Sequence, residues 1–302
     1  MPGRRPSIVA STDFSPAADR AARRAASLVS TMGGVLHLVH VLPPPELLAQ
    51  LFPVPSGSEI ASLRKRADVA LQERAHRIAT QFGITPSWAL FHGHAHRAIL
   101  DAVKSVAANI VVVGAQGEHE GASPSQTIGE TALKIAARSS VATLLVRREV
   151  HQPYCGVIAC AKGAPIDRLV IEWANRMSPA NLVHIVSAYT VPYEERLTAW
   201  GASQSTIDVY ATRERDERSR LLSATLSELG LPAARAQLHL ERDAPLQAIL
   251  RNAARGEADL IIVGRRAQVD PLGGGEFGSV ARHAALLAPV DVMIVPPEGQ
   301  AQ

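Results

Sequence analysis

The stretch Asn109–Gly117, NIVVVGAQG, decides the fold, because it returns as Asp259–Ala267, DLIIVGRRA, about half a chain later. Each copy is a short β-branched run that stops at a glycine. Four consecutive apolar residues without alternation mark a strand covered on both faces, and a glycine after them lets the backbone turn sharply. Other landmarks repeat with this strand. Leu36-His37 corresponds to Val183-His184, Gly114 to Gly264 and Gly129 to Gly278, at a nearly constant spacing of about 150 residues. The chain is read as a duplication, each half arranged around its own copy.

Upstream of the first copy, Ile8–Ser11 is a strand, and Ser15-Pro16 opens a helix with serine as N-cap and proline at the first helical position. Ala18, Ala22, Ala25, Ala26 and Val29 keep helical spacing until Gly33-Gly34, and Val35–Val41 is the second strand. Pro43–Ser58 is a Pro- and Ser-rich loop with room for one helical turn at Leu47–Leu51. A long amphipathic helix, Glu59–Gln81, turns Ile60, Leu63, Ala67, Leu71, Ala75 and Ile78 inward. Strand Ser87–Phe91 and helix His94–Ala108 lead into NIVVVG, and helix Ile128–Arg138 and strand Val141–Val146 close the half.

The second half follows the same order. Strand Gly156–Ala161 precedes helix Pro165–Met177, with Ile166, Leu169, Val170, Trp173 and Met177 inward, and strand Asn181–Val186. A loop with Pro192 and Gly201 leads to a helix ending at Leu229-Gly230. Gln237–Leu240, Pro245–Ala254, Asp259–Val263, Val280–Ala288 and Val290–Val295 complete the alternation. Strands alternating with helices predict an α/β fold of two tandem, doubly wound parallel sheets. The polar segment Arg147–Tyr154 divides them, giving domains at residues 1–148 and 155–298 joined by a linker at 149–154.

Composition sets further bounds. With 302 residues the chain has room for two ordinary cores, and 47% apolar against 20% charged residues is the balance of a globular protein. A formal charge of +3 is too small to point to nucleic acid by itself, and no Lys/Arg stripe with interleaved aromatics accompanies it. Asp13 interrupts the amino-terminal apolar run short of a signal-peptide core, and no apolar segment approaches a membrane span. Cys155 and Cys160 lie five apart in what reads as one strand, roughly 17 Å, too far for a disulfide. A reduced, cytoplasmic protein is expected.

In an open parallel sheet, ligands settle beyond the carboxyl ends of the strands where the winding reverses. The loops after the first and fourth strands are the candidates, Thr12-Asp13 and Gly114–Gly129 in the first half. An acid there accepts hydrogen bonds from a ribose or a base, while glycine amides and a helix start suit phosphate oxygens.

IVASTDFSPAADRAARRAASL, the VHVL of the second strand, NIVVVGAQG and the closing helix and strand together resemble the universal stress protein family, over nearly all 302 residues and as a tandem of two domains. The resemblance implies a five-stranded parallel sheet of order 3-2-1-4-5 in each domain, of the adenine-nucleotide alpha-hydrolase-like type. It also implies a ligand, ATP or another adenine nucleotide, with Mg2+ as a possible companion. In nucleotide-binding members the fourth strand is followed by Gly-x2-Gly, about nine residues, then Gly-Ser or Gly-Thr. The positions that match here are Thr12, Asp13, Val41, Gly114, Gly117 and Gly129 in the first half and Gly264, Gly278, Ser279 and Val280 in the second.

Each half departs from that pattern. Eleven residues separate Gly117 from Gly129, and Glu130 stands where Ser or Thr is expected, a carboxylate that repels a triphosphate unless a cation intervenes. In the second half Ala267 replaces the second glycine, Lys162 takes the place of Asp13 and Ala188 that of Val41. The first half keeps the adenosine side and the second the phosphate side. Either one half binds a nucleotide imperfectly, or the second has changed ligand, with Lys162, Arg265 and Arg266 favouring an anion.

Three other motifs have simpler readings. His92, His94 and His96 alternate, as metal ligands on a strand would, but Gly93 and the helix starting near His94 break that geometry, so a solvated loop is expected. Arg213–Arg220, RERDERSR, reads as a solvated helix face laced by ion pairs, and nucleic-acid binding is not expected. Ser125 and Ser279 lack a partnering His and Asp at short range. The expectation is a non-catalytic stress-response protein that binds an adenine nucleotide or related anion in at least one domain. An interaction module with degenerate loops and no small ligand is the alternative, and a slow ATPase is the third reading. The last strands, VATLLV and VDVMIV, are expected to pair the domains with each other or with a second chain, giving an internal pseudo-dimer or a homodimer, and an unknown protein partner is implied; no membrane is.

Overall fold

The computed structural model describes residues 5–44, 57–116, 128–255, 258–266 and 277–297. The expected turn at Leu47–Leu51, and Gly117, Ser125 and Ala267, lie outside the described residues. The chain divides into two compact units, Met1–Pro153 and Tyr154–Gln302.

In the first unit the elements are β1 (Ser7–Ser11), α1 (Pro16–Met32), β2 (Val35–Leu42), α2 (Gly57–Phe82), β3 (Ser87–His92), α3 (Ala95–Ser105), β4 (Ile110–Gly114), α4 (Glu130–Arg138) and β5 (Ala142–Val146). The strands are all parallel, in the order β3-β2-β1-β4-β5. Ile8, Val9 and Ala10 of β1 and Ile110, Val111 and Val112 of β4 are fully buried, as unalternated strands between two helical layers must be. Helix α1 starts where Ser15 Oγ accepts from Ala18 N at 3.2 Å with Pro16 in the first turn, and ends at Gly33, whose φ of +66° suits glycine. Its buried face is mostly alanine, which lets it approach the sheet closely. A Cβ on Gly114 would stand 2.9 Å from the carbonyl carbon and oxygen of Ala17, so β4 ends in glycine because α1 crosses it there.

The second unit repeats the pattern with β6 (Val157–Cys160), α5 (Asp167–Met177), β7 (Val183–Tyr189), α6 (Glu194–Ala199), α7 (Gln204–Glu228), β8 (Ala236–Arg242), α8 (Pro245–Arg255), β9 (Leu260–Gly264), α9 (Ser279–Leu287) and β10 (Asp291–Val295). Its order is β8-β7-β6-β9-β10, again parallel. Tyr154, at the end of the expected linker, is a core residue of this unit, and its hydroxyl donates to Asp291 Oδ2 at 2.5 Å.

Three sequence expectations are corrected here. Helix α5 buries Asp167, Val170, Ile171, Ala174 and Met177, whereas Ile166, Leu169 and Trp173 are only half-buried. The largest apolar side chains suggested a face rotated from the one that the helix presents, and Trp173 lies at its flank beneath the Arg176 guanidinium, 5.3 Å from the ring centroid. Cys155 precedes β6 instead of sharing a strand with Cys160; the two are not joined in a disulfide, and burial pushes the Cys160 thiol well above its ordinary value. The expected loop around Pro192 contains the short helix α6.

Candidate functional site

In the first unit the winding reverses between β1 and β4, and the register Ala10↔Val112 brings their carboxyl ends to the same edge. The loop after β1 is tied down from several sides. Thr12 N donates to Val39 O of β2 at 2.8 Å, and His40 Nδ1 lies 2.7 Å from Thr12 O. A carbonyl only accepts, so Nδ1 of His40 carries the proton. Phe14, at φ +67°, packs its ring 4.4 Å from that of His40.

Beneath this loop lies Arg74 of α2, 5% exposed. Its Nη1 donates to Thr12 Oγ1 at 2.5 Å, its Nη2 reaches Asp19 Oδ1 at 3.0 Å and Phe14 O at 3.5 Å, and its guanidinium stands over the Phe14 ring. Burial lowers the pKa of this guanidinium and Asp19 opposes the shift, but arginine stays charged. Asp13 is exposed: Oδ1 accepts from Ser15 N at 3.0 Å, while Oδ2 has no partner among the described residues. One carboxylate oxygen is held and the other is left without a partner among the described residues, in the loop that follows β1.

Of the remaining expected residues in this unit, Gly114 abuts the first turn of α1, and Gly129 N donates to Ala115 O at 2.7 Å, which brings the start of α4 back to the end of β4. Gly129 has φ −64°, a conformation any residue adopts. Val41 is half-buried in β2 opposite Phe91. Glu130 turns outward and pairs with Lys134 at 2.6 Å, which holds its carboxyl below the usual range. Its charge is met within its own helix, so the anticipated repulsion of a phosphate is weakened.

At the same corner of the second unit the chemistry differs. The backbone nitrogens of Lys162, Gly163 and Ala164 all donate to Asp167 Oδ2, at 2.7, 2.6 and 2.8 Å. Gly163, at φ +81°, lets the three N–H groups curl around one point, a concavity of the kind that binds anions. Asp167 fills it, 3% exposed; burial pushes its carboxyl up while the three amides pull the other way. The Lys162 side chain is exposed. Gly264 faces Ile166, whose Cγ1 would lie 2.7 Å from an added Cβ. Gly278, at φ +68°, packs beside the exposed Arg266, Arg265 is buried, Ser279 is exposed and Val280 half-buried. Where Lys162, Arg265 and Arg266 were expected to favour an anion, an acid of the chain itself is already seated among the Lys162 loop amides.

The sequence profile of the universal stress protein family matches residues 5–147 and again 159–296. The chain belongs to that family. A universal stress protein from Archaeoglobus fulgidus is 16% identical over 96% of this chain and 98% of its own, with a TM-score of 0.70. A functionally unknown protein from Pseudomonas aeruginosa is also 16% identical, over 97% of this chain and 92% of its own, with a TM-score of 0.61. At this identity the likeness is one of fold. No curated protein matches the sequence.

For a universal stress protein of this tandem kind, the structure adds two residues that sequence reasoning missed. Arg74 was discoverable as a charge set within the inward stripe of α2, beside Leu71 and Ala75. Asp167 had no such signal, since its role depends on a loop curling back over it. His92, His94 and His96 do not converge: His94 begins α3 without a side-chain cap, and His96 Nε2 lies 3.5 Å from Arg138 Nη1. Among the described residues no group of three or more His, Cys, Asp and Glu could hold a metal ion, and no helix is long and apolar enough to cross a membrane.

Proposed function

We propose that the first unit binds an adenine nucleotide, or an anion closely related to it, without efficient catalysis, and that the second unit has given up this role. The observation that carries this reading is Asp13, an exposed residue in the loop after β1 whose Oδ1 is fixed by Ser15 N and whose Oδ2 has no partner among the described residues. A carboxylate held in that way accepts from ribose hydroxyls or a base amine. Thr12, Val41, Gly114 and Gly129 border the same edge. In the second unit, the carboxylate of Asp167 holds the loop amides at the corresponding corner, so a ligand phosphate would have to displace it. That observation favours a second reading for this half, an interaction module that passes the state of the first unit to a protein partner.

Thermal melting with ATP or ADP at millimolar concentration, with and without Mg2+, tests the proposal. A ligand that binds only the folded form raises the melting temperature. The shift is expected in the native chain, reduced in Asp13→Ala and retained in Lys162→Ala. No shift with either nucleotide, or a shift lost only in Lys162→Ala, overturns it. Turnover above background that disappears in Asp13→Ala would make the protein a slow ATPase instead.

A further inference from the structure

Large aromatic residues are scarce in this chain, which has three tryptophans and four tyrosines. Tyr193, Trp200 and Tyr210 nevertheless line a single cavity of about 650 Å3 in the second unit. All three are exposed, at 69%, 76% and 48%, and among the described residues none stacks on another ring. The cavity's apolar wall is anchored, because Val191 and Leu197 pack with Ile207 and Ala211 in a small separate core. The volume falls in the range of small-molecule pockets.

Among the described residues Tyr193 is one of three non-glycine residues with positive φ, at +58°, and it precedes α6 without a side-chain capping bond. A bulky residue in that conformation is strained, and strain of this kind gathers at ligand sites. Burial does not offset it here, since the ring stays in water.

The aromatic and charged groups of the lining decide what it would take. The Arg196 guanidinium already stands 5.6 Å over the Tyr193 ring, so one aromatic face holds a cation. Arg213, Glu214 and Glu217 also line the cavity, and none of the three makes a side-chain hydrogen bond or ion pair among the described residues. Arg196 and Arg213 balance Glu214 and Glu217 in number, so the lining carries no net charge and the aromatic faces make the choice. Aromatic faces attract cations through their quadrupoles, and the carboxylates of Glu214 and Glu217 can pair with a cation held there.

We propose that this cavity binds an organic cation, an ammonium or guanidinium group carried on an apolar body. The charged group sits against the Trp200 and Tyr210 faces near Glu214 and Glu217, and the apolar body lies on Val191, Pro192 and Leu197. None of the nucleotide-site residues takes part, so the inference stands apart from the function proposed above.

Calorimetric titration of the full chain with three probes sharing one body tests it: benzyltrimethylammonium, neutral benzyl alcohol and anionic phenylacetate. The expected result is saturable binding of the cation only, weakened about tenfold in Tyr210→Ala, the loss of one cation–π contact. Glu217→Gln should weaken the cation and leave benzyl alcohol unchanged, while Trp88→Phe, in the first unit, should have no effect. Circular dichroism establishes that the variants are folded; their substituted side chains are exposed or line an open cavity. Absence of saturable cation binding, or phenylacetate binding as tightly as the cation, overturns the proposal.

Discussion

Arg74 Nη1 donates to Thr12 Oγ1 at 2.5 Å across a sequence separation of 62 residues, so the long helix of the first unit grips the loop that follows its first strand. The same guanidinium reaches Asp19 and the Phe14 carbonyl, and is buried. Arg74→Ala should therefore lower the stability of the first unit by about 2–4 kcal/mol in urea denaturation, because it strands buried partners as well as removing a charge. Arg74→Lys should recover only part of the loss, since a single ammonium does not reproduce the fork that reaches Thr12 and Asp19 together.

The two strand-end glycines separate a packing role from a ligand role. Gly114→Ala would press a Cβ to 2.9 Å from the Ala17 backbone, and Gly264→Ala would press one to 2.7 Å from Cγ1 of the Ile166 side chain. A helix backbone cannot step aside, whereas a side chain rotates. The first substitution should cost roughly 1–3 kcal/mol and the second less, as measured by each variant's melting curve.

Asp167 is the occupant of its own unit's amide concavity. Asp167→Ala leaves the N–H groups of Lys162, Gly163 and Ala164 without their acceptor, and a loss of about 2–4 kcal/mol in the second unit is expected. Inorganic phosphate at millimolar concentration should then raise the melting temperature of the variant and leave that of the native chain unchanged. Equal stabilisation of both would show that the amides are not the binding element.

Acid should weaken the second unit through His239. Its Nε2 lies 3.0 Å from His184 Nδ1, and burial first, then the neighbouring imidazole, lowers its pKa, with Glu241 opposing. Because the folded value lies below the unfolded one near 6.5, the neutral form is favoured by folding. Stability from this group is complete above that pH and is lost as the pH falls through the folded value. His239→Gln should flatten the dependence between pH 7 and 5 that chemical denaturation reads for the second unit. The first unit should keep its own dependence, where burial lowers His37 in the same sense.

Strand runs, glycine stops and alternation were legible residue by residue, because a strand buried on both faces admits little but β-branched and aliphatic side chains. The N-cap at Ser15 and the α1 terminus at Gly33 follow from such local signals, whereas the strand order of each unit was what the family resemblance implied. The inward face of α5 did not, since Ile166, Leu169 and Trp173 outrank Ile171 and Ala174 in size but lie off the line that meets the sheet. Candidate site residues were placed at the correct edge by topology alone, while their partners were not visible.

By itself the sequence determined the duplication and the α/β class, because hydrophobic periodicity and glycine placement are local constraints written along the chain. Only the tertiary structure decided how the loops at the two switch-point corners are held. Asp13 and Lys162 occupy matching positions, yet the difference between the halves comes from Arg74 gripping one loop and Asp167 filling the other. Both are contacts made by side chains arriving from a following helix, and their energies depend on distances of a few ångströms that no spacing in the sequence encodes.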